Sequence, residues 1–163
     1  MPLRVKPREK LTPQALVPEL IAPCGMNCGL CMVYVRDENG CLGCRAGDEG
    51  KSKSCLACTI RNCETLRSSE SGFCIDCARF PCPRLKRLDA RYRTKYRMSM
   101  LDNLQAIRDA GIEAFVTSEQ ERWACPGCGG LQCVHVPECV YCGHALDMTP
   151  GGPTKASSGR RQR

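Results

Sequence analysis

The thiol is the group with which this sequence can do chemistry. Sixteen of its 163 residues are cysteine, a density found in chains cross-linked by disulfides or metals. Eleven lie between residues 24 and 82 and five between 125 and 142. Pairs at C-x2-C spacing recur: Cys28/Cys31, Cys41/Cys44, Cys55/Cys58, Cys74/Cys77, Cys125/Cys128 and Cys139/Cys142. A turn of that length presents two thiolates to one metal. Cys24, Cys63, Cys82 and Cys133 stand singly. The first residues are basic but contain no apolar run of about 7–15 residues, so no secretory signal is expected. No stretch reaches the ~20 apolar residues of a membrane span. The expected location is cytoplasmic. Thiols stay reduced there, so the cysteines are expected to be metal ligands rather than disulfides. A thioredoxin-like redox role would need a βαβ setting and a thiolate at a helix start, and the density of paired thiols argues against it.

The C-terminal set has the clearest spacing. "CPGCGG" (125–130) and "CVYCGH" (139–144) are two C-x2-C-G turns. Gly129 and Gly143 allow the tight backbone turn that lets amides face the sulfurs. Cys125, Cys128, Cys139 and Cys142 would close a tetrahedral shell with no open position, a structural site. The arrangement resembles a zinc ribbon. Zinc is the expected ion, although a single iron takes the same ligands. Cys133 and His135 lie between the knuckles. They are read as a buried free thiol and a surface histidine, or else as ligands of the quartet or of a neighbouring site.

The N-terminal eleven divide less cleanly. The candidate ligands are Cys24, Cys28, Cys31, Cys41, Cys44, Cys55, Cys58, Cys63, Cys74, Cys77 and Cys82. Two four-cysteine sites use eight of them, and no histidine precedes residue 135 to complete a third. In "APCGMNCGLCMVY" (22–34), Cys24, Cys28 and Cys31 form C-x3-C-x2-C. Radical S-adenosylmethionine enzymes use that spacing to hold three irons of a four-iron cluster. Their chemistry needs a large α/β barrel, which this chain cannot supply. A four-iron cluster completed by another cysteine, such as Cys82, remains the alternative to zinc. Ferredoxin ligand runs end in Cys-Pro, and Cys82-Pro83 echoes that ending. "CLACTIRNC" (55–63), "CIDCARFPC" (74–82) and "CPGCGGLQC" (125–133) all read C-x2-C-x4-C, which suggests a reused metal-binding turn.

Charge is uneven. The formal net charge is +7; residues 1–22 supply +2 of it and the tail after Thr149 supplies +4, leaving the body near neutral. Four thiolates around a divalent ion carry a charge of about −2, so metal loading makes the body acidic. "PRLKRLDARYRTKYRM" (83–98) is the exception, with Arg84, Lys86, Arg87, Arg91, Arg93, Lys95 and Arg97 against Asp89 alone. With Tyr92 and Tyr96 interleaved, Arg84–Arg97 and the tail are the candidate contacts for nucleic acid or an acidic protein. A solvated helix face that balances the thiolates is the plainer reading. Tyr92 and Tyr96, four residues apart, would then pack inward as a pair. No membrane partner is expected.

Helix signals are confined to the cysteine-free middle of the chain. "SMLDNLQAIRDAG" starts on Ser99 with Asp102 three residues on and ends at Gly111, which predicts a capped helix. Met98, Met100, Leu101, Leu104 and Ile107 give it an apolar stripe. "IEAFVTSEQERW" predicts a second helix, with a break and new cap at Thr117 or Ser118. The expected fold is a small metal-stabilised α+β protein. A flexible segment at 1–22 precedes a cysteine-rich knuckle module at 23–83. Beyond it come a helical connector at 84–124, a zinc-ribbon-like module at 125–147 and a disordered basic tail at 148–163.

The stretches "IAPCGMNCGLC", "CLGC", "FCIDCARFPCPRLK", "YRTKYRMSMLDNLQAIRDAGIEAF" and "RWACPGCGG" resemble a bacterial and archaeal family known only as domain of unknown function 3795. The resemblance runs over about residues 21–142. It implies a cysteine-rich metal-binding protein and carries over no catalytic residue. The expected function is a non-catalytic zinc-binding adaptor or binding module. The alternative is an iron–sulfur redox or metal-handling protein using Cys24, Cys28 and Cys31. No hydrolytic triad, phosphate loop or His/Glu metal motif points to an enzyme.

Overall fold

The computed structural model describes residues 15–36 and 40–148. The basic tail from 149 and residues 1–14 of the expected flexible segment lie outside them. Three short helices punctuate the cysteine-rich half: α1 (Met32–Val35), α2 (Lys53–Leu56) and α3 (Glu64–Arg67). Three longer ones succeed them: α4 (Pro83–Lys95), α5 (Met100–Ala110) and α6 (Ile112–Arg122). Strand structure among the described residues is limited to isolated antiparallel bridges at Ile21–Asn27, Ala124–Leu131 and Glu138–Ala145. The fold is therefore mostly helical, and the β part of the α+β expectation amounts to these bridges. Cysteines, glycines and prolines come too close together for two strands to pair over any length. No helix among the described residues is long and apolar enough to cross a membrane.

The helix ends obey local chemistry. Ser99 caps α5, its Oγ accepting from the Asp102 N–H at 3.1 Å. Gly111, at φ +85°, ends α5 and begins α6, a conformation costly for any side chain. The expected break at Thr117 or Ser118 is absent: α6 runs through both, and the Thr117 hydroxyl donates to the Glu113 carbonyl at 3.1 Å. That bond is an intrahelical alternative to capping.

The main apolar cluster draws on the whole described chain. Ile21, Leu30, Leu85, Met100, Leu104 and Trp123 are almost wholly buried in it, joined by Leu131 and Val134. It also takes in Leu16, Leu20 and Ala22. The proline-broken run before Cys24 thus packs inward from Leu16 on instead of trailing as a flexible segment. Proline prevents a long helix there but not burial.

Polar side chains tie the segments together. Asp89 on α4 is buried; it accepts from the Ser99 hydroxyl at 2.7 Å and the Leu101 N–H at 3.1 Å, and pairs with Arg93 at 3.0 Å. Arg97, read as part of a basic surface, is buried instead. It stacks over Trp123 and donates to the Asp147 carbonyl. The Trp123 indole donates to Glu119 at 2.8 Å.

The cysteine-rich half is fastened to α5 at Gly25. The Asn103 amide donates to the Gly25 carbonyl at 2.9 Å. Gly25 sits at φ +87°, and a Cβ there would lie 2.8 Å from the Met100 carbonyl oxygen and 2.9 Å from Leu104. Glycine is thus required between Cys24 and Met26 on both steric and conformational grounds.

Candidate metal centres

The two C-terminal knuckles fold as their spacing predicts. Gly129 and Gly143 adopt φ +77° and +76°. Their N–H groups donate to the Cys125 and Cys139 carbonyls at 2.8 and 2.9 Å. Each turn is closed behind by a return bond, from Cys125 N–H to the Gly130 carbonyl at 2.7 Å and from Cys139 N–H to the His144 carbonyl at 2.8 Å. The Gly127 N–H reaches the Cys125 sulfur at 3.3 Å and the Gly130 N–H reaches the Cys128 sulfur at 3.5 Å.

These turns bring four sulfurs together. Cys125 Sγ lies 3.7 Å from Cys142 Sγ, and Cys128 Sγ lies 3.7 Å from Cys139 Sγ. All four sulfurs lie within 4.8 Å of one another. A tetrahedral ion with metal–sulfur bonds of about 2.3 Å requires sulfur–sulfur distances of about 3.8 Å. The quartet can therefore hold one metal ion, consistent with a zinc-ribbon-like module. Each knuckle contributes one buried cysteine, Cys125 or Cys139, and one exposed cysteine, Cys128 or Cys142.

The thiols differ in their protonation. Burial pushes Cys139 up to about 12 and raises Cys128. Burial also opposes the Cys125 thiolate, but the N–H groups of Gly127 and Cys128 and the neighbouring thiols outweigh it and leave Cys125 below its ordinary value. A cation must displace protons to bind here, which makes its affinity fall as pH falls.

Cys133 stands apart from the quartet. It is fully buried in a small cluster with Val35 and Val140, and burial pushes its thiol up to about 12. Such a thiol is chemically inert. His135, read as a surface residue, is half-buried and connects three segments. Its Nδ1 accepts from the Met32 N–H at 3.2 Å, so the neutral ring carries its proton on Nε2, 3.1 Å from the Tyr92 hydroxyl. Tyr96 packs edge-on to it at 4.6 Å, and Tyr92 and Tyr96 pair at 4.9 Å. The interleaved tyrosines thus pack against the histidine and each other. Burial, then the Arg91 charge, pushes His135 down from 6.5 to about 4.

The N-terminal cysteines form no comparable convergence. Among the described residues only the C-terminal quartet brings three or more candidate ligand atoms within 4.8 Å of one another. The C-x3-C-x2-C triplet is divided. Cys28 interacts with Cys44, whose N–H reaches the Cys28 sulfur at 3.5 Å, and with Cys24. The thiols that bear on Cys31 are Cys55 and Cys41. Burial, then the charges of Cys44, Cys74 and Cys58, pushes Cys24 up to about 12. Cys44 moves the other way, down to about 7, through its contact with Cys28 and the charges of Lys51, Arg61 and Arg45. Cys63, Cys74, Cys77 and Cys82 make a third grouping. They come from the start of α3, a turn at Cys74–Asp76 and the start of α4, and they line one cavity. Cys74 is pushed up to about 12 by burial and then by Cys82, Cys63 and Cys77. Spacing alone offers no reason to place Cys63 with this group. The signal available is that the single cysteines 63 and 82 bracket the pair 74/77.

The basic segment also divides. Arg93 is engaged with Asp89, and Arg84 donates to the Thr59 carbonyl at 3.2 Å. Arg84, Arg87, Arg91 and Lys95 are exposed along one side of α4 at three- and four-residue intervals.

The model of a family described as protein of unknown function (DUF3795) matches residues 20–87. The match holds all eleven N-terminal cysteines and ends early in α4, short of the resemblance drawn to residue 142. No curated protein and no solved structure matches the chain.

Proposed function

We propose that this protein is a zinc-ordered, non-catalytic binding module that offers the cationic side of α4 to an acidic partner. The convergence of Cys125, Cys128, Cys139 and Cys142 carries the reading. Four thiolates at tetrahedral separation favour zinc, fill its coordination and leave no position for substrate. In a reducing cytoplasm these thiols remain available to the ion. A shell closed in this way orders the chain and does not activate water.

The partner reading rests on Arg84, Arg87, Arg91 and Lys95. Neighbouring like charges on one exposed helix face repel each other, and an anionic polymer relieves that repulsion while releasing its own counterions. Binding of a fluorescent single-stranded oligonucleotide tests this. The zinc-loaded chain is expected to bind it with an affinity that falls steeply with salt. The variant Arg87→Glu/Arg91→Glu/Lys95→Glu is expected to lose that binding while keeping its zinc. Equal binding by parent and variant, or none by either, refutes the partner reading. Elemental analysis tests the metal reading separately: Cys128→Ser should lose about one zinc per chain relative to the parent.

A further inference from the structure

We propose that Cys63, Cys74, Cys77 and Cys82 form the binding site of a four-iron, four-sulfide cluster, separate from the C-terminal quartet. All four cysteines line one cavity of about 50 Å³. Ile60, Phe73, Phe80 and Leu85 supply its apolar walls. Unlike the quartet, these sulfurs do not gather within 4.8 Å of one another. A single tetrahedral ion needs its ligands to meet at a point. A four-iron cluster offers one attachment at each of four irons, so it takes thiolates that enclose a space.

The backbone holds the arrangement open. Cys74 N–H donates to the Pro23 carbonyl at 2.9 Å, Cys77 N–H to the Cys74 carbonyl at 3.1 Å, and Cys63 N–H to the Ile60 carbonyl at 3.1 Å. The Cys82 carbonyl accepts from the Lys86 N–H at 3.0 Å in the first turn of α4. Collapse onto one ion would have to pull these segments from their partners.

Electrostatics suit the same occupant. A cluster held by four thiolates is anionic. Cys82 is the N-cap of α4, a helix of thirteen residues whose dipole favours negative charge at that end. A wider opening of about 590 Å³ adjoins the thiols and is lined by Arg79, Arg84 and Arg87 together with Cys63, Cys77 and Cys82. The four cysteines are half-buried, so iron and sulfide can reach them while the apolar walls restrict water.

The test is reconstitution of the full zinc-loaded chain with ferrous iron and sulfide in the absence of oxygen. Bound iron, sulfide and zinc are counted and the visible absorption of the cluster recorded. Cys74→Ser/Cys77→Ser is expected to bind about four fewer irons and four fewer sulfides than the parent, with zinc unchanged. Zinc retention shows that the variant is folded at the quartet. Cys63→Ser, at the half-exposed start of α3, gives a second reading that does not disturb the core. It should lose or alter the cluster absorption. Iron and sulfide unchanged in both variants would overturn the proposal. So would a parent that takes zinc at this site and no sulfide. Loss of zinc in Cys128→Ser with iron retained would show that the two sites are independent.

Discussion

At the C-terminal knuckles four sulfurs gather within 4.8 Å of one another; Cys63, Cys74, Cys77 and Cys82 line one cavity without gathering in that way. Both regions use C-x2-C pairs, so the pair itself does not decide the outcome. The next residue in the chain decides it. Cys128 and Cys142 are each succeeded by a glycine at positive φ, which folds the chain back and aims both thiols inward. Cys31, Cys44, Cys58 and Cys77 are succeeded by Met32, Arg45, Thr59 and Ala78, and none of these turns closes in that way. Their sulfurs are placed by helix starts and short turns instead, and no three of them gather as the quartet does. Closure around an ion is thus written into the knuckle, while the open grouping depends on packing between distant segments.

The largest expected effect comes from removing the point-like site. Extraction of the metal, or Cys128→Ser, should unfold the knuckles and cost several kcal/mol, because metal binding and folding are one equilibrium there. The check is thermal unfolding with metal content measured in parallel. Full helical circular dichroism and an unchanged melting temperature after confirmed metal loss would break the comparison at its first term.

The second effect concerns the seam between the cysteine-rich half and α5. Gly25→Ala places a Cβ against the Met100 carbonyl and Leu104 in a backbone conformation that disfavours it. Destabilisation of about 2–4 kcal/mol is expected in urea unfolding. An effect no larger than that of ordinary surface substitutions would mean that α5 does not hold the thiol grouping in place.

A smaller effect separates His135 from both sets of thiols. Its folded value of about 4 lies below its ordinary 6.5, so the unfolded chain takes up a proton that the folded chain refuses. The stability contributed by the neutral ring is present above pH 6.5 and is lost as pH falls toward 4. Its partial exposure limits the loss to about 1–2 kcal/mol. His135→Asn should flatten that part of the pH profile. Metal loss at low pH is common to parent and variant, so the difference between their profiles isolates the ring. Identical slopes would contradict the buried tautomer bonded to Met32 and Tyr92.

The smallest effect on stability is expected at the cationic stripe. Reversing Arg87, Arg91 and Lys95 together should shift unfolding by no more than about 1.5 kcal/mol, since each is exposed. A larger loss, not shared by Arg91→Glu/Lys95→Glu, would place the effect at Arg87, which borders the thiols, and not along the exposed stripe.

Much of the molecule is legible in its sequence, for identifiable reasons. The quartet can be read from spacing because its two glycine turns are local. The Ser99 cap and the Gly111 stop can be read for the same reason. Burial of Arg97 under Trp123 and of His135 between Tyr92 and Met32 cannot, because each depends on contacts between distant segments. The C-x2-C-x4-C echo misleads for a related reason. Of its three copies, the middle one, Cys74, Cys77 and Cys82, lines a single cavity; Cys133 belongs to an apolar cluster, and Cys63 sits with the next copy. The apolar run before Cys24 looks flexible because its prolines exclude a helix, yet its leucines reach the core.

The most direct test is the native metal and sulfide content of chain purified without oxygen, compared between parent, Cys128→Ser and Cys74→Ser/Cys77→Ser. Two chemically distinct sites predict that the first variant loses about one zinc and no iron, and that the second loses about four irons with matching sulfide and no zinc. A protein filled with zinc throughout, in which both variants lose only zinc, would contradict the distinction between a closed point and an open ring of thiols.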